Sequence, residues 1–259
     1  METARILWTG GWDSTYRLVE LSMRNIHIVP VYILDKERKS KKIEIATMRK
    51  ILSALRNKKG TQAEIDDVKI INMDKIPLNE SVTKAFSELS ETVKLGSQYE
   101  WIGRLSAVYK GLEIGIEKPH GEYSGCMTVI QKYGKLKKVN DSYVVDREQS
   151  SETLLSVFGN LSFPICKTTE VEMAENIKSW GYEDIMKMIW FCHMPINGKP
   201  CGLCRPCQQK MECNMEWLLP KQAQKRYKNF KALYDINKFA AKGYRCAVKA
   251  CNKIKAVNK

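Results

Sequence analysis

Two short stretches of this 259-residue chain carry side chains whose types and spacing suit chemistry. The first is Thr9-Gly10-Gly11-Trp12-Asp13-Ser14-Thr15. Paired glycines let the backbone turn tightly and bring its N–H groups against an anion with no Cβ in the way. A helix starting there aims its positive dipole end at the same point. The hydroxyls of Thr9, Ser14 and Thr15 can add hydrogen bonds to phosphate oxygens, and Asp13 can cap the helix or help to hold magnesium. No Gly-Lys-Ser/Thr follows, so this is not a Walker A loop, and the glycine spacing is not that of a dinucleotide fingerprint. A glycine turn that only links a strand to a helix is the plain alternative.

The second stretch is Cys192-x8-Cys201-x2-Cys204-x2-Cys207. Four thiolates can surround Zn²⁺ tetrahedrally, and two-residue spacings bring successive sulfurs to one ion through tight turns. Such a closed set would be structural. Iron–sulfur ligation is the competitor, but it calls for a further cysteine soon after the run, normally followed by proline. Cys213 does not fit that pattern, and Cys192 upstream is the natural fourth ligand, with His193 a neighbour. Cys126, Cys166, Cys213, Cys246 and Cys251 read as buried or idle thiols. No Cys/His or Ser/His pair can be assigned as nucleophile and base, so catalytic residues stay unassigned. Chemistry here would rest on positioning and charge.

The elements that must hold these residues read as α/β. Residues 5–9 form a short buried strand leading into the glycines, and a helix runs from Asp13 to about Met23. Residues 26–34 form a second, near-continuously apolar strand, a helix covers 43–55, and 68–73 form a third strand. Helices are expected over 79–95, opened by Asn79, and over 99–114. Apolar runs without alternation indicate a mostly parallel, doubly wound sheet covered on both faces. Residues 117–150 suggest a hairpin around Asn140-Asp141. Residues 170–180 form an amphipathic helix ending at Gly181, and a short helix reaches Leu219 before Pro220. These divide the chain into an α/β domain over 1–160, a helical segment with the cysteines over 161–220, and a basic helical tail over 221–259.

Net charge is +14, but it is uneven. Residues 221–259 hold twelve Lys/Arg and one acid, and residues 36–59 hold ten and two, so the rest of the chain is net acidic. The tail invites a nucleic-acid or protein partner; a solvated, Lys-rich surface is the bland alternative. Tyr227, Phe230, Leu233, Tyr234, Phe239 and Tyr244 interleave its lysines. They are expected to pack against the body through the face shared by 227, 230 and 234, with base stacking as the sharper alternative. The first block is read as flanking the phosphate site. No apolar stretch is long enough to span a membrane. Met1-Glu2-Thr3-Ala4-Arg5 runs directly into a strand without a signal-like segment, which reads as unprocessed and cytoplasmic.

The glycine motif resembles the Ser-Gly-Gly-x-Asp-Ser signature of the PP-loop ATP pyrophosphatases (adenine-nucleotide α-hydrolase-like), with Thr9 in place of the serine. Together with Phe191-Cys192 and Pro200-Cys201-Gly202-Leu203-Cys204-Arg205-Pro206-Cys207, it is similar to the 7-cyano-7-deazaguanine synthase (QueC-like) family over roughly residues 5–219. Gly103-Arg104 resembles that family's Gly-Arg-Asn segment, with Leu105 where the Asn would stand. Pro164-Ile165, Lys167 and Glu170 resemble its Pro-Leu…Lys-x-Glu element at shorter spacing. The Tyr-Pro-Asp-Cys-Arg segment of that family is absent, and Tyr123-Ser124-Gly125-Cys126 only approaches it.

The resemblance implies ATP, Mg²⁺ and Zn²⁺, with Thr9 to Thr15 and Arg104 at the nucleotide. It implies adenylation of a carboxylate on 7-carboxy-7-deazaguanine or a related deazapurine. Pyrophosphate and AMP would leave, and ammonia would give the amide or nitrile. It also implies a homodimer and admits a place in DNA modification or anti-phage defence. Two alternatives stand beside it: a PP-loop tRNA-modifying enzyme whose tail grips RNA, and a non-catalytic adaptor that keeps ATP and zinc sites while binding nucleic acid or protein.

Overall fold

A computed structural model describes residues 1–38, 40–119 and 125–257, the side chains of 249–257 excepted. Gly121, Tyr123, Ser124 and the Cys251 side chain lie outside the described residues. The chain divides into two compact units, Met1–Trp190 and Phe191–Lys259. The sequence had suggested divisions after 160 and 220. Residues 161–190 fall in the first unit, where Leu161 and Ser162 pair into its sheet.

The first unit is α/β. Its first strands and helices are β1 (Thr3–Leu7), α1 (Trp12–Ser22), β2 (His27–Leu34), α2 (Lys41–Arg56), β3 (Glu64–Ile65) and β4 (Lys69–Asn72). There follow α3 (Glu80–Thr92), α4 (Gln98–Val108), β5 (Leu112–Glu113), α5 (Cys126–Tyr133), β6 (Leu136–Val139) and β7 (Ser142–Val145). The unit closes with α6 (Glu152–Phe158), β8 (Leu161–Ser162), α7 (Glu170–Trp180) and α8 (Glu183–Met186). Among the described residues the sheet has eight strands in the order β3-β2-β1-β5-β8-β7-β6, with β4 also on β2. Pairings from β3 and β4 through β8 are parallel, while β7 with β8 and β6 with β7 are antiparallel.

Side-chain alternation explains the continuous apolar run of β2. Val29, Val31 and Ile33 join a core that includes Val82 and Leu89 of α3, Leu105 of α4, Ile130 of α5 and Phe158 of α6. Tyr32 points to the opposite face, where its hydroxyl donates to Glu44 of α2 at 2.8 Å. Both faces are thus covered by helices, so every position of the strand can be apolar.

Local sequence sets several boundaries. Asn79 caps α3 by accepting from the Val82 N–H. Thr169 and Glu172 form a capping box at the start of α7, which ends at left-handed Gly181. The hairpin of β6 and β7 turns at Asn140, whose φ is 54°. One expectation needs correction: the helix over 99–114 stops at Val108, because Gly111 takes φ +73° and Leu112–Glu113 enter the sheet between β1 and β8.

The second unit contains α9 (Arg205–Glu212), a 3-10 turn at Glu216–Leu218, α10 (Lys221–Ile236) and α11 (Lys238–Val257). α10 and α11 follow one another across Asn237 and contact each other. Among the described residues no helix is long and apolar enough to cross a membrane.

Candidate functional site

The glycine motif lies at the exit of β1. Gly10 has φ +70°, the region that favours glycine, and a Cβ there would meet Met48 Cγ at 3.2 Å and Thr47 Cγ2 at 3.3 Å. α2, which carries much of the first basic block, therefore packs directly on the turn. Gly11 is the N-cap of α1 and offers no side-chain cap; its carbonyl accepts from Thr15 N–H at 3.1 Å. The Trp190 N–H donates to the Gly10 carbonyl at 2.8 Å, holding the turn from the other side.

Within the motif the side chains take different positions. Thr15 is fully buried, and its Oγ1 accepts from the Trp8 indole at 2.9 Å. Trp12 and Ser14 are buried, while Thr9 and Asp13 are half-buried. The Thr15 hydroxyl thus ties the first turn of α1 to Trp8, the residue after β1.

Topology brings a second strand exit to the same place. β1 is flanked by β2 on one side and β5 on the other, so the chain direction across the sheet reverses between β1 and β5. Gly115, just past β5, packs on the start of α1: a Cβ there would lie 3.0 Å from Ser14 N and 3.2 Å from Asp13 Cβ. Two residues on, Glu117 joins Asp13 and Glu170, each offering a carboxylate oxygen within 4.8 Å of the others. Glu170 is buried at the start of α7. Hard oxygen donors gathered in this way are of the kind that suits Mg²⁺. Gly115 and Glu117 went unnoticed in the sequence because no motif marks them.

Arg17 fixes this geometry. Its guanidinium, 2% exposed, donates from Nε and Nη2 to the two oxygens of Glu113 on β5, both at 2.8 Å. It also reaches Glu20 at 2.7 Å and Asp141 at 2.9 Å, and Arg24 shares Asp141. Burial opposes its charge, but the Glu113 bonds outweigh this and hold its pKa above the ordinary value. The pairing locks α1 to the strand whose exit carries Gly115 and Glu117.

Arg104 on α4 is already engaged. It pairs with Glu100 at 2.8 Å and donates to the carbonyls of Ile76 and Pro77 at 3.1 and 3.2 Å. Lys167 is exposed, with its Nζ 6.0 Å from the Tyr143 ring centroid. Several cations of the first basic block are committed to neighbours. Lys36 pairs with Asp74, Arg38 with buried Glu44, Arg56 with Asp67 and Lys58 with Asp184.

In the second unit Cys192, Cys201, Cys204 and Cys207 are all buried, with sulfurs within 4.8 Å of one another. The Cys201–Cys207 and Cys192–Cys204 Sγ separations are 3.9 Å. Four thiolates about 2.3 Å from a tetrahedral ion would be about 3.8 Å apart, so the set is compatible with zinc. The Leu203 and Cys204 N–H groups donate to Cys201 Sγ, and the Cys201 N–H donates to Cys192 Sγ, each at 3.2 Å. Hydrogen bonds from the other three thiols, together with the Leu203 N–H, draw the Cys201 pKa well below the ordinary value. Those from Cys192 and Cys207 bring Cys204 down to about 7. The same thiol–thiol hydrogen bonds push Cys192 and Cys207 above the ordinary value, so the protons are shared unevenly among the four.

Gly202 stands at the turn with φ +78°, where a Cβ would lie 2.1 Å from the Ala223 carbonyl oxygen. Arg226 of α10 donates to the Cys201 carbonyl at 2.7 Å. His193 is exposed and outside the cysteine group. Elsewhere, burial pushes the Cys126 and Cys166 thiols up to about 11, as expected of idle thiols.

Compared with known protein families and with curated proteins, the chain matches none.

Proposed function

We propose that the chain is an ATP-dependent synthase of the PP-loop pyrophosphatase type that activates a carboxylate by adenylation. The observation that carries this reading is what the reversal point of the sheet brings together. A glycine turn opens a helix at the exit of β1, and Asp13, Glu117 and Glu170 gather beside the exit of β5. Open α/β sheets bind ligands at such points, outside the carboxyl ends of their strands.

In this reading the ATP phosphates meet the backbone and dipole end of α1, with Thr9 and Ser14 as hydroxyl donors. The three carboxylates would hold Mg²⁺, which neutralises the charge of the departing pyrophosphate. Gly10 and Gly11 permit close approach, while α2 and the Trp190 backbone keep the turn from shifting. Arg104, bonded to Glu100 and to two carbonyls, is better assigned to holding α4 to the chain before α3 than to the nucleotide. The four cysteines would carry a structural zinc with no open position.

The acceptor follows from the family resemblance: a deazapurine carboxylate such as 7-carboxy-7-deazaguanine, with ammonia as nucleophile. The test is to incubate the protein with ATP, Mg²⁺, ammonium and that acid, and to follow AMP and pyrophosphate. Release that depends on the acid and is lost in Asp13→Ala is expected. AMP release without dependence on the acid would replace the acceptor, and full turnover in Asp13→Ala would overturn the PP-loop assignment.

A further inference from the structure

The second basic segment bends at a feature that the carboxylate chemistry does not use. α10 and α11 meet at a single residue, Asn237. Its N–H donates to the Leu233 carbonyl at 2.7 Å, and its side-chain oxygen accepts from the Phe239 and Ala240 N–H groups at 2.8 and 3.3 Å. One asparagine thus ends one helix and starts the next, which leaves the tip little freedom. On it stand two large apolar side chains, Ile236 at 84% exposure and Phe239 at 85%. Ala241, four residues past Asn237, is fully buried, whereas these two side chains are not.

Cations surround the tip. The Lys231 and Lys238 ammonium groups lie 5.9 and 5.7 Å from the Tyr234 ring centroid, and that ring is 42% exposed. Lys242 is exposed on α11, and Asp235, paired with Lys231 at 3.1 Å, is the one acid in residues 221–259. The expected aromatic stripe therefore splits. Phe230 is buried and lies 5.9 Å from Tyr234, while Tyr234 and Phe239 face solvent.

We propose that the α10–α11 tip binds single-stranded nucleic acid, with Phe239 and Tyr234 stacking on unpaired bases and Ile236 packing beside them. Lys231, Lys238 and Lys242 would lie along the phosphates. Aromatic rings interspersed with lysines bind single strands through base faces that every nucleotide offers, and the contact is strongly salt-dependent. A duplex keeps its bases stacked and would engage only the lysines. Two apolar side chains are too few for the broad apolar face of a membrane-surface helix. A tip held in advance by Asn237 also loses little entropy on binding. This inference is independent of the PP-loop reading.

The test uses the full chain and a fluorescein-labelled oligothymidylate at low salt, read by anisotropy, with a duplex of equal length beside it. Phe239→Ala is expected to weaken single-strand binding about 5- to 150-fold, the range for loss of one stacked base, and to leave duplex binding within about twofold. Phe239→Trp should retain affinity and show indole quenching by the oligomer. Substituting Lys231, Lys238 and Lys242 by Gln should lower the salt slope by up to about 2, at about 0.7 per phosphate contact. Phe239 is exposed, so helix content by circular dichroism should not change, which separates a lost contact from a lost fold. Equal losses on single strand and duplex, or unchanged single-strand affinity in Phe239→Ala, would overturn the proposal. So would Phe239-dependent sedimentation with phosphatidylserine vesicles in the absence of oligonucleotide binding.

Discussion

Arg17 gives the sharpest test of how the site is held. The perturbation is Arg17→Met, which keeps the length of the side chain and removes the charge. Glu113, its main partner, has a side chain only 11% exposed, whereas Glu20 and Asp141 are 27% and 39% exposed and can turn to water. Removing one member of a buried pair costs about 3–5 kcal/mol, because the other charge is left without compensation. With two of the three acids partly solvated, the lower end, about 3 kcal/mol, is expected. At a urea dependence of about 2 kcal/mol per molar, the unfolding midpoint should fall by about 1.5 M. Trp8 and Trp12, both buried in this unit, make intrinsic fluorescence the probe. The double variant Arg17→Met with Glu113→Leu removes both charges and should recover most of the loss, since apolar replacement of a whole buried pair is often neutral. A loss below about 1 kcal/mol in Arg17→Met would refute this account. So would a double variant that costs as much as the two single changes added together.

Four further outcomes are expected. Purified protein should carry about one zinc per chain by elemental analysis; iron with a visible absorption band would show a cluster instead. Cys204→Ser should lose the metal and unfold the second unit first in limited proteolysis. Gly115→Ala should depress Mn²⁺ binding and AMP release far more than the unfolding midpoint, because its Cβ would press on Asp13 and Ser14. Asp141 works against burial, but Arg17 and Arg24 hold its carboxyl below the usual range. The stability it contributes is therefore present above about pH 4 and is lost as pH falls through the lowered value. Asp141→Asn should flatten that acid limb of the stability curve, and an unchanged limb would remove Asp141 from the network.

Local chemistry made much of this visible in advance. The run from β1 to α2 was legible because strands covered on both faces are continuously apolar. Asn79, Thr169 and Gly181 announced helix ends through their own capping groups. The four cysteines stood close enough in sequence that spacing alone grouped them. β5 was not legible: its two residues lie beside helical sequence, and only pairing with β1 and β8 makes them a strand. Glu117 and Glu170 could not be linked to Asp13, because topology rather than spacing brings them together. Burial likewise divided the aromatic face of the tail, burying Phe230 and leaving Tyr234 exposed, where their shared helical face treated them alike.

The carboxylate cluster also says something about the order of events as the chain is made. Its members stand at positions 13, 117 and 170, so a chain leaving the ribosome can complete β1, α1 and β2 long before it owns the third acid. Contacts of such separation form late, after the costly loop closures. On the proposed reading of this cluster as a cation site, divalent-cation affinity should therefore appear only in chains that extend past Glu170 and have docked α7. The cluster would then serve as a built-in reporter that the whole first unit has closed.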